Sequence, residues 1–454
     1  MVKLYKQVWK INFVCYAQYI HLSCALFAHF KQSRCHCIIF FSVQKEHVGH
    51  HSECRIETDK LELLNALKRR ASHEERSLKH IFDEETRHSP AAHALSFSEV
   101  ESTMYRERKK SQPSVPDDLR QLPGVLERNL LLYTEDGSSF FRDMVDCGGN
   151  GVAFLFATND QLEMMGGRDT IMMDGTFKTV PRQFNQMYTI FCQFSGHALP
   201  GVFVLMTRKT EELYRAVFNK IRELNPLFSP QRVMSDYEAA PVNAIKSVFP
   251  EIESNGCWFH YVDRIRFRVQ KYDLTQLYRD DDEVRKAVKQ LMCLPLLPAG
   301  EIGAAFAQIK ASMCPRLRIL LSRLLRYVFR YWIRQVGPQR MSVHGCRDRT
   351  NNAVEAFHST LKRKLGIHPS LFSHLPRLKK IGEDTSNEVG RLRGGHDIRR
   401  RQRKSYVLNN KRIRDCTRRF DSGQCFNLEL AVVLVFVHQC TELWSIEIYF
   451  LAGM

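Results

Sequence analysis

The sequence lacks any uninterrupted run of the roughly 20 apolar residues that a membrane-spanning helix requires. Its nearest approach, residues 11–30, is broken by Asn12, Gln18, His21 and His29, and the later run Ala431–Val437 is far shorter. No membrane anchor or cleaved leader is therefore expected. Internal repeats and long low-complexity tracts are also missing, which argues against a solenoid or an array. Acidic residues are scarce beside basic ones: 49 Asp+Glu stand against 67 Lys+Arg, a formal charge of +18. That imbalance favours a polyanionic partner, most simply nucleic acid. The 14 cysteines form no compact disulfide framework. Five of them (Cys15, Cys24, Cys35, Cys37 and Cys54) fall among His21, His29, His36, His47, His50 and His51. In an intracellular protein that clustering reads as a metal module rather than as disulfides.

What is present is enough to fold. Hydrophobic residues make up 44% of the 454 and aromatics 11%, so the chain can bury a sizeable core in two or three units. Four zones are expected: a Cys/His-rich segment over 1–57, a helical spacer and linker over 58–125, a catalytic domain over 126–380, and a basic tail with an unassigned C-terminus over 381–454. In the second zone Asp59 and Glu62 have the spacing of a capping box, and Leu61, Leu64, Leu67 and Ala71 recur at helical intervals. The charged, Pro-containing stretch 106–116 reads as a linker.

The third zone carries the α/β signal. Strands are expected at 171–173, 188–194 and 202–206, with a turn at 196–201 between the last two. A helix over 211–224 is capped by Thr210 and buries Leu213, Val217, Ile221 and Leu224 on one face. A short strand at 232–234 then leads to Ser235-Asp236 and a helix at 238–248, and helices dominate 262–336. Three strands, a helix, a strand and a helix match the opening of an RNase H-like fold, within a broader α/β layer architecture.

Three carboxylates stand out by position: Asp174 in MMDGTF, Asp236 in VMSDYEAA, and Glu355 in RTNNAVEAFHSTL, near the start of a helix capped by Asn351 or Asn352. Together they could hold two divalent cations about 4 Å apart for phosphodiester chemistry, and oxygen ligands suit Mg²⁺ or Mn²⁺. Each has an ordinary reading as well. Asp174-Gly175 could be a turn, Asp236 could cap the next helix, with Ser235 and Glu238 at capping-box spacing, and Glu355 could favour its helix N-terminus.

The segment from Asp174 to Leu277 resembles the transposase domain of Mutator-like elements (MULE). The matching pieces are DGTFKTVP, FNQMYTIF, KTEELYRAVF, SDYEAA, NAIKSVFP and GCWFHYVDRI, in the family's order. RTNNAVEAFHSTL and the following His368-Pro369 resemble a downstream element of that family. The resemblance implies an RNase H-like core with a helical insertion, in which Asp174, Asp236 and Glu355 form a catalytic, metal-binding acidic triad. Glu238, Glu253 and Glu301 are rivals for the third position. It also singles out the Cys257/His260 pair, read as a buried cysteine with a histidine near the acidic site, where His260 contacts DNA or orients the site. Lys178 and Asn352 join them as structural or DNA-contacting residues. The N-terminal Cys/His zone resembles a degraded FLYWCH-type zinc finger, which implies Zn²⁺.

Arg399, Arg400, Arg401, Arg403, Lys404, Lys411, Arg412 and Arg414 form dense basic runs suited to phosphate contact or nuclear import. The expectation is a nuclear, two-metal DNA nuclease and strand transferase acting on terminal inverted repeats of double-stranded DNA, as a homo-oligomer and without membrane contact. The alternative is a domesticated or decayed nuclear DNA-binding protein that no longer cuts. An RNA-processing nuclease on the same fold is a third reading.

Overall fold

A computed structural model describes residues 52–422 except 75, 347–348, 351 and 399–403. The Cys/His-rich zone up to residue 51, where a degraded zinc finger was expected, the apolar stretch 11–30, the basic residues Arg399–Arg403 and the segment after 422 lie outside the described residues. The chain divides into two compact units, Met1–Glu62 and Leu63–Met454. Of the first, the described part is the opening of helix α1 (Ser52–His73).

Asp59 and Glu62 lie inside α1 and so cap nothing; the helix is already under way at Ser52. Beyond Glu62 its buried row is Leu63, Leu67 and Ala71, the i, i+4, i+8 spacing of one helical face. Helices α2 (Leu78–Thr86) and α3 (Phe97–Ser111) close a small core that includes Ile81, Phe82, Val100 and Met104. The expected linker at 106–116 is half wrong, because α3 runs through Ser111. Its Arg108 is buried and donates to the carbonyls of Ala71, Glu74 and Arg76 at 3.0, 2.8 and 2.8 Å. These acceptors include carbonyls that the end of α1 leaves open, so a run of charges that reads as linker is in part a helix cap.

The centre is a seven-stranded sheet in the order β1-β2-β5-β4-β3-β6-β7. Its strands are β1 (Phe141–Asp146), β2 (Val152–Phe156), β3 (Thr170–Thr176), β4 (Gln186–Phe194), β5 (His197–Met206), β6 (Arg232–Ser235) and β7 (Glu253–Gly256). The first five pair antiparallel, while β6 runs parallel to β3 and β7 parallel to β6. The four expected strands are present, each longer than its apolar run. The turn expected at 196–201 is tighter, because β5 starts at His197. Ser195 and Gly196 alone reverse the chain with φ of 47° and 80°, the left-handed pair that fits the twist of a two-residue hairpin.

Side chains alternate across this sheet and both faces are covered. Ile171 and Met173 join Tyr188, Ile190 and Val204 beneath α6 (Glu211–Leu224) and α7 (Ala239–Val248); α4 (Leu122–Glu127) and α5 (Asn159–Met165) precede these two in the chain. Thr210 caps α6 as expected, its Oγ1 accepting from Leu213 N at 3.4 Å. Met172, Phe191 and Met234 face the other way, into a core built largely by helices α8 (Trp258–Lys271), α9 (Thr275–Asp280), α10 (Asp282–Cys293), α11 (Ala299–Ser312), α12 (Pro315–Leu320) and α13 (Ser322–Tyr327). A π-helix over Val328–Val336 and the short α14 (Pro338–Met341) complete this insertion. Alongside, Phe154, Phe203 and Leu205 pack with residues of α15 (Asn352–Leu365) and α16 (Leu371–Arg393). Helices α4 and α16 cross positions 125 and 380, where domain borders were expected. The last described helix, α17 (Lys404–Asp421), exposes Lys411, Arg412 and Arg414.

Candidate active site

β3 carries Asp174 on the same face as Met172, because both are even positions of one strand. In the parallel pairing, Met172 lies opposite Met234. Continued two residues further, that register brings Asp236 level with Asp174, just past the end of β6. The expected Ser235/Glu238 capping box is not formed. Asp236 Oδ1 instead accepts from Glu238 N at 3.1 Å, and Ser235 Oγ donates to the Asp236 carbonyl at 3.0 Å. The rivals Glu253 and Glu301 open β7 and lie in the first turn of α11. Glu238 is paired with Lys209 at 2.7 Å.

Glu355 arrives from far along the chain because α15 is fixed at several points. Val354 is buried in the core of the insertion, and Leu361 and Leu365 in the core beside it. Phe357 bridges the two, meeting Phe191 edge-on at 5.3 Å and stacking on Phe203 at 6.2 Å. Two backbone bonds hold the flanks. Trp258 N donates to Arg349 O at 3.0 Å ahead of the helix, and His368 N donates to Lys178 O at 3.0 Å behind it. His368 and Lys178 thereby join two of the separated sequence motifs. Lys178 itself is exposed.

The third member of the cluster is a histidine. Asp174, His260 and Glu355 each offer a ligand atom, all within 4.8 Å of one another. His260 comes from the first turns of α8, whose N-cap, Cys257, is fully buried and donates its backbone N–H to Ser235 O at 2.9 Å. His260 Nε2 lies 3.4 Å from Glu355 Oε1. A second imidazole, His358, one turn after Glu355, places Nδ1 3.9 Å from Asp174 Oδ2. Asp236 stands apart from this ligand set, although its charge acts on Asp174.

Burial dominates the electrostatics. Asp174 is 8% exposed, and desolvation pushes its carboxyl up to about 7; the charges of Glu355 and Asp236 add to that rise, against the pull of His260 and of the Gly175 N–H. Desolvation alone would lower His260, but the Cys257 thiol, Glu355 and Asp174 outweigh it and raise its pKa. Glu355 is correspondingly lowered, first by its bond to His260. Burial lowers His358, which favours its neutral form.

Two carboxylates and an imidazole within reach of one another are a donor set for a divalent cation of the Mg²⁺, Mn²⁺ or Zn²⁺ type. The surroundings fit such a guest. Thr189 lies across the ladder from Asp174, and its buried Oγ1, like His358 Nε2, has no hydrogen-bond partner among the described residues. An ion or a water at the site would give these buried polar atoms a partner.

The Asp174–Glu355 approach depends on tertiary packing, so the motifs alone could not place it. His260 was legible only as a neighbour of the site, and His358 was missed. The i, i+3 spacing of Glu355 and His358 on one helix could have suggested it.

No curated protein matches the chain. Residues 170–264, from β3 into the first half of α8, match the family model described as the MULE transposase domain. That span contains Asp174, Asp236, Cys257 and His260 and ends before Glu355, which joins the site through its geometry; the chain is a MULE transposase-domain protein.

Proposed function

We propose that this protein is a metal-dependent DNA nuclease and strand transferase of the Mutator type, working on an RNase H-like core. The approach of Asp174 and Glu355 on one face of the sheet, with Asp236 at the end of the adjacent strand, carries this reading. The topology supports it: three antiparallel strands β5-β4-β3 continue into the parallel β6 and β7. Asp174, Glu355 and His260 would hold one cation. The Asp236 oxygen not bonded to Glu238 N would help hold a second. Bound there, such ions supply Lewis acidity to the attacking and leaving oxygens.

The chain's own residues bind, orient and exclude water. Phe191 and Phe357 make a dry floor beside the acids; without a cation a protonated His260 keeps Glu355 ionised and oriented, and its Nε2 gives up that proton when it takes a cation as ligand. The half-buried, neutral imidazole of His358 is placed to take up a proton beside Asp174. Water attacks phosphorus, the P–O3′ bond breaks, the leaving 3′-oxygen takes up a proton and a 5′-phosphate remains; the freed 3′-hydroxyl then attacks a phosphodiester of a second duplex, whose own O3′ leaves as the new bond forms. Basic runs near the C-terminus suit phosphate contact and nuclear import.

The test uses the full chain, labelled duplex carrying a terminal inverted repeat, and Mg²⁺ or Mn²⁺. Cleavage should need the metal and fall at least 100-fold in Asp174→Asn, while salt-sensitive DNA binding persists. Cleavage at the wild-type rate in that variant would sink the proposal. One observation favours the alternative of a DNA-binding protein that no longer cuts: His260 and Glu355 already satisfy one another as an ion pair. Salt-sensitive binding with no cleavage in either metal would establish that reading.

A further inference from the structure

From Ile302 to Cys346 the chain contains no acidic residue, while Lys310 and seven arginines are spread along it. Some of these arginines are internally committed. Arg316 pairs with Asp281 at 2.8 Å, Arg318 donates to the carbonyls of Met313 and Ala311, and Arg340 donates to those of Asp236 and Glu238. Arg326, Arg330 and Arg334 are different. All three are exposed, and none has an acidic partner among the described residues.

They lie along the continuous helical run formed by α13 and the π-helix after it. Their four-residue spacing is close to one turn of either helix type, so they share a side. The opposite side is the apolar one, with Leu324, Leu325, Val328 and Trp332 buried in the insertion core. Aromatic rings lie against the cations as well: Arg334 over Phe329 at 5.1 Å and Arg323 over Tyr272 at 4.5 Å. Such contacts hold a guanidinium plane in place and leave its N–H fork free. The run is also tied to the candidate site. Trp332 packs edge-on against Tyr237, the residue after Asp236, at 4.5 Å, and against Tyr261 at 4.7 Å.

We propose that the Arg326–Arg330–Arg334 face is a docking track for the phosphodiester backbone of duplex DNA. The partner follows from charge. A row of guanidinium groups with no acidic partner among the described residues suits a polymer of regularly spaced monoanions and gains from counterion release. The inference rests on the proposed DNA substrate, but its test is separate from cleavage.

The full-length protein and its R326Q/R330Q/R334Q variant are titrated with a mixed-sequence duplex in EDTA, across a range of salt concentrations. Three lost phosphate contacts should flatten the slope of log K against log[salt] by about 2 to 3. Binding should weaken equally for unrelated duplex sequences, with the thermal midpoint unchanged because these side chains are exposed. A control, Arg222→Gln on α6, should leave the slope as in wild type. An unchanged slope in the triple variant overturns the inference, as does a loss confined to RNA or to vesicles containing phosphatidylserine. If the slope falls but the wild type never cleaves, the track stands and the nuclease reading fails; if wild type cleaves and the slope is unchanged, the reverse holds.

Discussion

Asp174 is costly to ionise, and that cost is measurable without any substrate. Burial raises its carboxyl from the ordinary 3.8 to about 7, so the folded chain holds this proton more tightly than the unfolded chain does. The group's contribution to stability is complete below about pH 4 and is lost as pH rises through 7. Metal-free Asp174→Asn should therefore melt higher than wild type at pH 8, by the equivalent of roughly 1–4 kcal/mol, with the gap closing near pH 4. Calorimetry at the two pH values checks this, and an Asn variant less stable at pH 8 would contradict it. A side chain that destabilises its own fold is what a binding site often requires. The aspartate and its strand were readable from the sequence because an apolar run ends on an acid. Its altered acidity was not, since that depends first on burial by tertiary packing and then on the charges of His260, Glu355 and Asp236, gathered from three other elements.

At the level of elements, α15 does the positioning. Phe357 touches Phe191 and Phe203 on two central strands, and its neighbour Glu355 is carried along. Phe357→Ala should cost on the order of 2 kcal/mol, less than for a fully buried ring. It should also weaken Mn²⁺ binding several-fold while the far-ultraviolet spectrum stays native-like; a variant with wild-type metal affinity would show that the helix is held by other means. Elements with a local signature were legible: α6 announces its cap and its apolar face, and β3, β4 and β5 are β-rich apolar runs. The ones missed lack such a signature. β2 (Val152–Phe156) is buried on both faces, so no alternation marks it. β7, with the sequence ESNG, is a polar edge strand that owes its conformation to β6. Its Gly256 has a steric reason, since a Cβ there would lie 2.2 Å from the Tyr237 ring.

Across the whole molecule, separate cores carry separate duties. The helical layer α1–α3 has its own apolar cluster, and Arg108 links α3 to the end of α1. Arg108→Met should leave the α1 carbonyls without their donor and cost about 2 kcal/mol. Hydrogen exchange should quicken over residues 63–104 while the strands keep their protection; uniform quickening would mean that this layer and the sheet unfold together. Only part of this organisation shows in the sequence, because a run of charges looks the same whether it is solvated or bonded to a helix end. The bond from His368 to Lys178 has a consequence for synthesis. The ribosome releases β3 long before it releases α15, so a nascent chain has Phe191 and Phe203 without the Phe357 ring that packs on them, and one wall of the candidate site is still untranslated. Any product that stops ahead of Asn352 would be a basic fragment that lacks Glu355 and cannot complete the candidate site.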